Sequence, residues 1–165
     1  MARGQVLYIT ETGRLILEAE IACLRSLRRE VAMELASCLP SAGANVREPA
    51  ALMAEAAAID GQTRGLQDRL NVAVQLPVSD RRVAVGSRVR LRGPLGRHHT
   101  VTLVGPVSAN PTVGMVSFES PLGKALLGRE VGEVVSMREL GCDWDASILD
   151  VEHDVAAGSL SRAGQ

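Results

Sequence analysis

Leu39-Pro40-Ser41-Ala42-Gly43-Ala44-Asn45 is a run of turn and breaker residues set between two segments that keep a helical rhythm. Upstream there is no proline from Thr10, a natural helix N-cap, to about Cys38. Within that stretch Leu17, Ile21, Leu24, Val31, Leu35 and Cys38 are spaced 4, 3, 7, 4 and 3, a heptad seam that Arg28 interrupts. Downstream, a second helix is predicted from near Pro49, because proline is tolerated in a first helical turn. Its Leu52, Ala56, Ile59, Thr63, Leu66 and Leu70 alternate 4, 3, 4, 3, 4, with Thr63 the one polar member. Two helices joined by a short turn fold back on each other, so residues 8–76 read as an antiparallel coiled-coil hairpin with its tip at about 39–48. Each arm is about 40 Å long at the helical rise per residue. On pattern alone, a dimerising coiled coil or one part of a helical bundle reads equally well.

Beyond Pro77 the period changes. Residues 77–82 read as a linker, and then apolar residues alternate: Val83 and Val85, Val89 and Leu91, Val101 and Leu103. Gly86, Gly93-Pro94-Leu95-Gly96, Gly105-Pro106 and Asn110-Pro111 punctuate the runs. Further strands are predicted at Val113–Phe118, Glu133–Met137 and Ser147–His153, with one short helix from Pro121 to Leu127 closed by Gly128. The expectation is a small, mainly antiparallel sheet domain over 83–153 and a disordered tail over 154–165, giving an α+β fold class.

Composition narrows the function. Tyr8, Phe118 and Trp144 are the only aromatics in 165 residues, so the core must be aliphatic. Single-strand nucleic-acid platforms built from exposed aromatics are therefore not expected. A net charge of −1 argues against a protein that coats nucleic acid. Cys23, Cys38 and Cys142 are odd in number and widely spaced, which suits free thiols in a reducing cytoplasm rather than a disulfide framework or a zinc site. There is no apolar run of about 20 residues and no signal-peptide pattern, so a cytoplasmic protein with no membrane partner is expected.

The stretch Val104-Gly105-Pro106, followed by Gly114-Met115-Val116-Ser117-Phe118-Glu119-Ser120-Pro121-Leu122-Gly123-Lys124-Ala125-Leu126-Leu127-Gly128-Arg129-Glu130-Val131-Gly132-Glu133, closely resembles the C-terminal domain of bacterial Gre transcript-cleavage factors. The opening Tyr8-Ile9-Thr10-Glu11-Thr12-Gly13, with a long helix carrying Arg28-Arg29, is also similar to that family. The resemblance implies an N-terminal coiled-coil hairpin followed by an FKBP-like α+β domain. It implies a bacterial RNA polymerase partner, engaged at the rim helices of the largest subunit beside the secondary channel, with the hairpin entering that channel. Contact with nascent RNA would be indirect, and the protein would act as a monomer. The implied docking residues are Ser120, Pro121, Leu122 and Gly123, preceded by Glu119 where the family commonly has Asp. The same turn also reads as plain helix capping, with Ser120 as cap and Pro121 in the first turn.

What the resemblance does not supply is the acidic pair at the tip, through which the family places carboxylates on a loosely held magnesium ion. A gapless count back from Leu70 sets the tip at Ser41, Ala42, Gly43, Ala44, Asn45 and Val46, with Ala42 and Asn45 at the two acidic positions. Between Leu35 and Ala54 the only charged residues are Arg47 and Glu48, so no register provides two carboxylates there. Neutral side chains do not bring the negative charge that carboxylates bring to a hard ion. The expectation is a polymerase-binding regulator, most simply an inhibitor, with no catalytic residue, no metal site and no cofactor. The alternative is a true cleavage factor acting through Glu48.

Other constellations read as structural. His98 and His99 are expected in a solvent-facing turn without acidic or cysteine partners, and His153 near the tail is expected to be exposed. Cys142-Asp143-Trp144-Asp145 reads as a loop before the last strand, with Trp144 covering an edge of the core. Arg25, Arg28 and Arg29 read as a solvated helical face, or as a contact for a negatively charged channel. An isomerase activity suggested by the FKBP-like fold lacks the aromatic pocket such chemistry uses.

Overall fold

In the computed structural model, residues 6–38, 47–77, 79–138 and 141–153 are described. The tip positions 39–46 and the tail 154–165 lie outside the described residues. The fold class is α+β, as expected, and the chain divides into two compact units, one formed by Glu18–Asn71 and the other by the segments on either side.

The first of these is helical. Helix α1 runs Glu11–Ser37, its first turns belonging to the other unit, and helix α2 runs Pro49–Asn71. The heptad positions Ile21, Leu24 and Val31 are buried, as are Leu52, Ala56, Ile59 and Leu66 from α2. Arg28, which breaks the seam, sends its Nε to Asp60 at 3.1 Å, so the interruption is filled by an ion pair between the helices. Thr63 disposes of its hydroxyl within its own helix by donating to the Ile59 carbonyl at 2.8 Å. Arg28 with Asp60, and Glu34 with Arg47 further along α1, fix the antiparallel sense of the two helices.

The second unit is built on a sheet of order β5-β4-β3-β7-β6. Its strands are β3 Ser87–Arg92, β4 His98–Val104, β5 Met115–Ser117, β6 Val134–Ser136 and β7 Asp145–His153. All pairings are antiparallel except β4 with β5. Strand β3, at the centre, alternates strictly: Val89 and Leu91 are buried while Arg88, Arg90 and Arg92 are exposed. A bulge in the pairing with β7 falls between Arg90 and Leu91. Helix α3, Pro121–Leu126, carries Leu126 into the core. The hydrophobic interior is aliphatic apart from Phe118.

Several expectations need correction. The segment 8–76 is not wholly a hairpin, because both its ends belong to the sheet unit. Strand β1, Tyr8–Ile9, pairs in parallel with β2, Val74–Gln75, and Leu7, Ile9 and Leu76 are buried. Val83 and Val85 do not form a strand of their own. Val85 instead bridges Ile9, and Val83 exchanges backbone hydrogen bonds with Gly128 and Arg129 at 2.9 and 2.7 Å. Val113 ends a 3-10 turn, Pro111–Val113, that the Asn110 side chain caps by accepting the Thr112 N–H. His98 and His99 open β4 rather than lying in a turn, although both are exposed.

His153 is buried, not exposed: it is only 8% accessible. Its Nδ1 lies 2.8 Å from Ser87 Oγ, which itself accepts the Ala84 N–H at 3.0 Å. The two side chains share this hydrogen bond in the interior. Burial pushes the His153 pKa below the ordinary histidine value, and the nearby Asp80 offsets this only in part.

Thr10 joins the start of α1 to the sheet unit. Its Oγ1 accepts the Gly13 N–H and donates to the Val85 carbonyl, both at 3.0 Å. A Cβ on Gly13 would lie 1.9 Å from that same carbonyl oxygen, so only glycine fits. Among the described residues no helix is long and apolar enough to cross a membrane.

Two measurements follow. Thr10→Val removes the helix cap on the Gly13 N–H and one of the two hydrogen bonds to the Val85 carbonyl, and should cost about 1–2 kcal/mol in urea denaturation. Because the folded-state pKa of His153 lies below its unfolded value of about 6.5, the unfolded chain binds more protons in that window. Stability should therefore be held above that value and fall as the pH drops below it, less steeply in His153→Gln. An identical loss in both proteins would refute the assignment.

Candidate functional site

The turn that resembles the family's docking motif is built outward from β5. Phe118, 1% accessible, anchors the chain and donates its N–H to the Val104 carbonyl at 3.0 Å. The chain then reverses: Ser117 Oγ accepts the Glu119 N–H at 3.1 Å, and the Ser117 carbonyl accepts the Ser120 N–H at 3.0 Å. Ser120 has extended dihedrals at the N-cap of α3, and Pro121 follows in the first turn, where its missing N–H costs nothing.

The side-chain hydrogen bonds of Ser120 are both local. Its Oγ donates to the Ser117 carbonyl at 2.7 Å and accepts the Gly123 N–H at 3.0 Å. Gly123 is buried, and a Cβ there would come 2.0 Å from the Ser117 oxygen and 2.7 Å from the Phe118 Cα. The motif therefore divides. Ser120 and Gly123 shape the turn, while exposed Pro121 and half-buried Glu119 and Leu122 form what a partner could touch. Lys124, the only lysine of the chain, is exposed one residue further on. The turn is closed behind by Gly128, at φ 80°, and by Arg82, which pairs with Glu130 at 3.1 Å and stands 5.1 Å from the Tyr8 ring centroid.

Of the tip residues, Ser41, Ala42, Gly43, Ala44, Asn45 and Val46 lie outside the described residues. Arg47 and Glu48 are both exposed, and the Glu48 carbonyl accepts the first N–H groups of α2, from Ala51 and Leu52. Arg47 does not pair with its neighbour. Its guanidinium reaches Glu34 on α1 at 3.6 Å and also Glu55 on α2. Counting acids only between Leu35 and Ala54 misses these two, which the helical periodicity sets beside Arg47. Both carboxylates are thus engaged by a cation that the chain itself provides. Among the described residues no group of three or more His, Cys, Asp or Glu side chains gathers where a metal ion could sit.

Of the other candidates, His99 stacks on Trp144 with ring centroids 6.3 Å apart, and Arg29 donates to Ser26 at 3.2 Å. Arg25 is exposed, as are Cys23 and Arg29 on the same helix. Cys142 lies in the loop before β7 and is half-buried.

Comparison with known proteins bears on the family. The family model described as transcription elongation factor, GreA/GreB, C-term, matches residues 78–153. A transcription elongation factor GreA of Bacillus anthracis (strain CDC 684 / NRRL 3495) is 28% identical over 158 residues, spanning 92% of this chain and all of the relative. One from Bacillus cereus (strain ATCC 14579 / DSM 31) is 29% identical over 150 residues, spanning 87% of this chain and 95% of the relative. A solved structure of the transcription factor Gfh1 is 30% identical, covers 92% of this chain and 99% of its own, and superposes with a TM-score of 0.42. With the family model lying over residues 78–153 and sequence relatives running through both units, this chain belongs to the Gre-factor family.

Proposed function

We propose that the protein binds bacterial RNA polymerase through the turn Glu119–Gly123, sets its helical hairpin in the secondary channel, and inhibits transcription without stimulating transcript cleavage. The relatives are named transcription elongation factors, and a role on the transcribing polymerase is carried over from them. The finer reading rests chiefly on Arg47. The carboxylates of Glu34 and Glu55, the acidic groups it joins beside the tip, are spanned by its guanidinium. A carboxylate paired in this way is a poor ligand for a second magnesium ion, since the cation would have to displace the arginine. Ala42 and Asn45 add no acidic group at the tip. The protein is then not an enzyme. It acts by occupying the channel, with rim-helix docking on the largest subunit, as a monomer, and its effect follows mass action.

Glu48 supports the alternative, because its carboxylate is exposed at the start of α2. One assay separates the two readings. RNA in stalled complexes of the cognate polymerase should stay at its full length in the presence of the protein, run-off synthesis should fall, and an active cleavage factor should be displaced. Prompt shortening of the RNA from its 3′ end, abolished in Glu48→Ala, would overturn the inhibitor reading.

The division within the docking turn gives a second test. Pro121→Ala should leave stability within about 0.5 kcal/mol while weakening polymerase binding. Gly123→Ala should instead unfold or strongly destabilise the sheet unit, because its Cβ collides with the Ser117 carbonyl. Undiminished binding by a folded Pro121→Ala protein would place docking elsewhere.

A further inference from the structure

The hairpin between β3 and β4 is closed by Pro94-Leu95-Gly96-Arg97. Leu95 (φ 60°, ψ 21°) and Gly96 (φ 73°) are consecutive left-handed residues, and the Arg97 N–H donates back to the Pro94 carbonyl at 3.3 Å. This is the mirror-image two-residue turn that antiparallel hairpins favour, and its first central position normally takes Asn, Asp or Gly. Leu95 is the only non-glycine residue with positive φ among the described residues. It gains nothing for the fold in return, because it is 96% accessible to solvent. A large apolar side chain is thus held in a strained backbone and pointed into water.

Its surroundings are cationic and braced. Arg92 and Arg97 flank the turn and are exposed, as is His98, and neither arginine joins an ion pair among the described residues. Trp144 supports the base of the hairpin: it stacks with His99, and its ring edge would lie 3.2 Å from a Cβ on Gly93. The end of the hairpin is therefore presented without a large ordering cost, the condition under which one apolar anchor contributes most to binding. Arginine is also among the residues enriched at the energetic centres of interfaces.

We infer that Leu95, Arg92 and Arg97 form a second contact surface, which inserts Leu95 into an apolar recess edged by carboxylates on the polymerase. The inference rests on the polymerase-binding reading above, but uses residues outside the Glu119–Gly123 turn. Uncompensated arginines call for an acidic rim, and the leucine calls for an apolar floor. A nucleic-acid phosphate backbone would satisfy only the first.

The test uses the full-length chain and core polymerase, with equilibrium binding and thermal melting measured side by side. Leu95→Asn removes the anchor and relieves the backbone. It should raise the melting temperature by about 2–4 °C while weakening binding roughly tenfold. Arg92→Glu and Arg97→Glu should weaken binding and flatten its salt dependence. A variant that is more stable but binds less cannot be explained by lost structure. If the wild-type chain binds and Leu95→Asn binds equally well, this inference fails while the docking reading stands. If the wild-type chain does not bind, both fail. If charge reversal weakens binding of a single-stranded RNA oligonucleotide while Leu95→Asn leaves polymerase binding unchanged, the surface is a polyanion site and the inference is overturned.

Discussion

The sheet unit depends on one close passage of backbone, where the first turn of α1 crosses the Val85–Gly86 peptide. Thr10 binds the Val85 carbonyl through both its N–H and its hydroxyl, at 3.1 and 3.0 Å, and the same hydroxyl caps the helix. Two glycines permit the approach: Gly13 lets the carbonyl in, and Gly86, at φ 93°, keeps clear of Thr10 Oγ1 and of Gly13 itself. From this crossing the rest follows. Strand β1 is held between β2 and Val85, Gly86 donates to the Leu103 carbonyl of β4, and β3 begins immediately afterwards. The first turn of α1 is thereby tied into the sheet unit to which it belongs.

Much of this was legible because it is local. The heptad residues Ile21, Leu24 and Val31 are buried at the positions their spacing predicts, and so are Leu52, Ile59 and Leu66. The alternation in Ser87–Arg92 and the capped helix at Pro121 were equally readable, since each is settled within one turn or one strand. What escaped is long-range. His153 looks like a polar residue near a tail, yet its partner Ser87 is 66 residues away and brings it into the interior. The parallel pairing of Tyr8–Ile9 with Val74–Gln75 joins pairs too short to carry a periodic signal. Val113 leaves the expected strand because Asn110 and Pro111 favour a turn over the apolar character that follows them.

The turn Glu119–Gly123 shows why motif residues resist a single interpretation. Ser120 and Gly123 look like recognition residues in sequence, but their hydrogen bonds and packing serve the reversal of the chain. At the tip the charge count alone, Arg47 beside Glu48, gives no sign that Arg47 spans the two helices through Glu34 and Glu55. Exposed ion pairs of this kind contribute at most about 1 kcal/mol each. Their weight is in committing charge, not in holding the helices together, which the buried seam does.

Trp144, the chain's only indole, has an optical consequence. It lies in the sheet unit, stacked on His99, and the helical unit Glu18–Asn71 contains no Trp, Tyr or Phe at all. Tryptophan emission therefore follows the sheet unit alone, and loss of the helices passes unseen in fluorescence while dominating the far-ultraviolet circular dichroism. The two signals assign any unfolding event to one unit or the other without a label. Coincident transitions would mean that the chain melts as a single cooperative body.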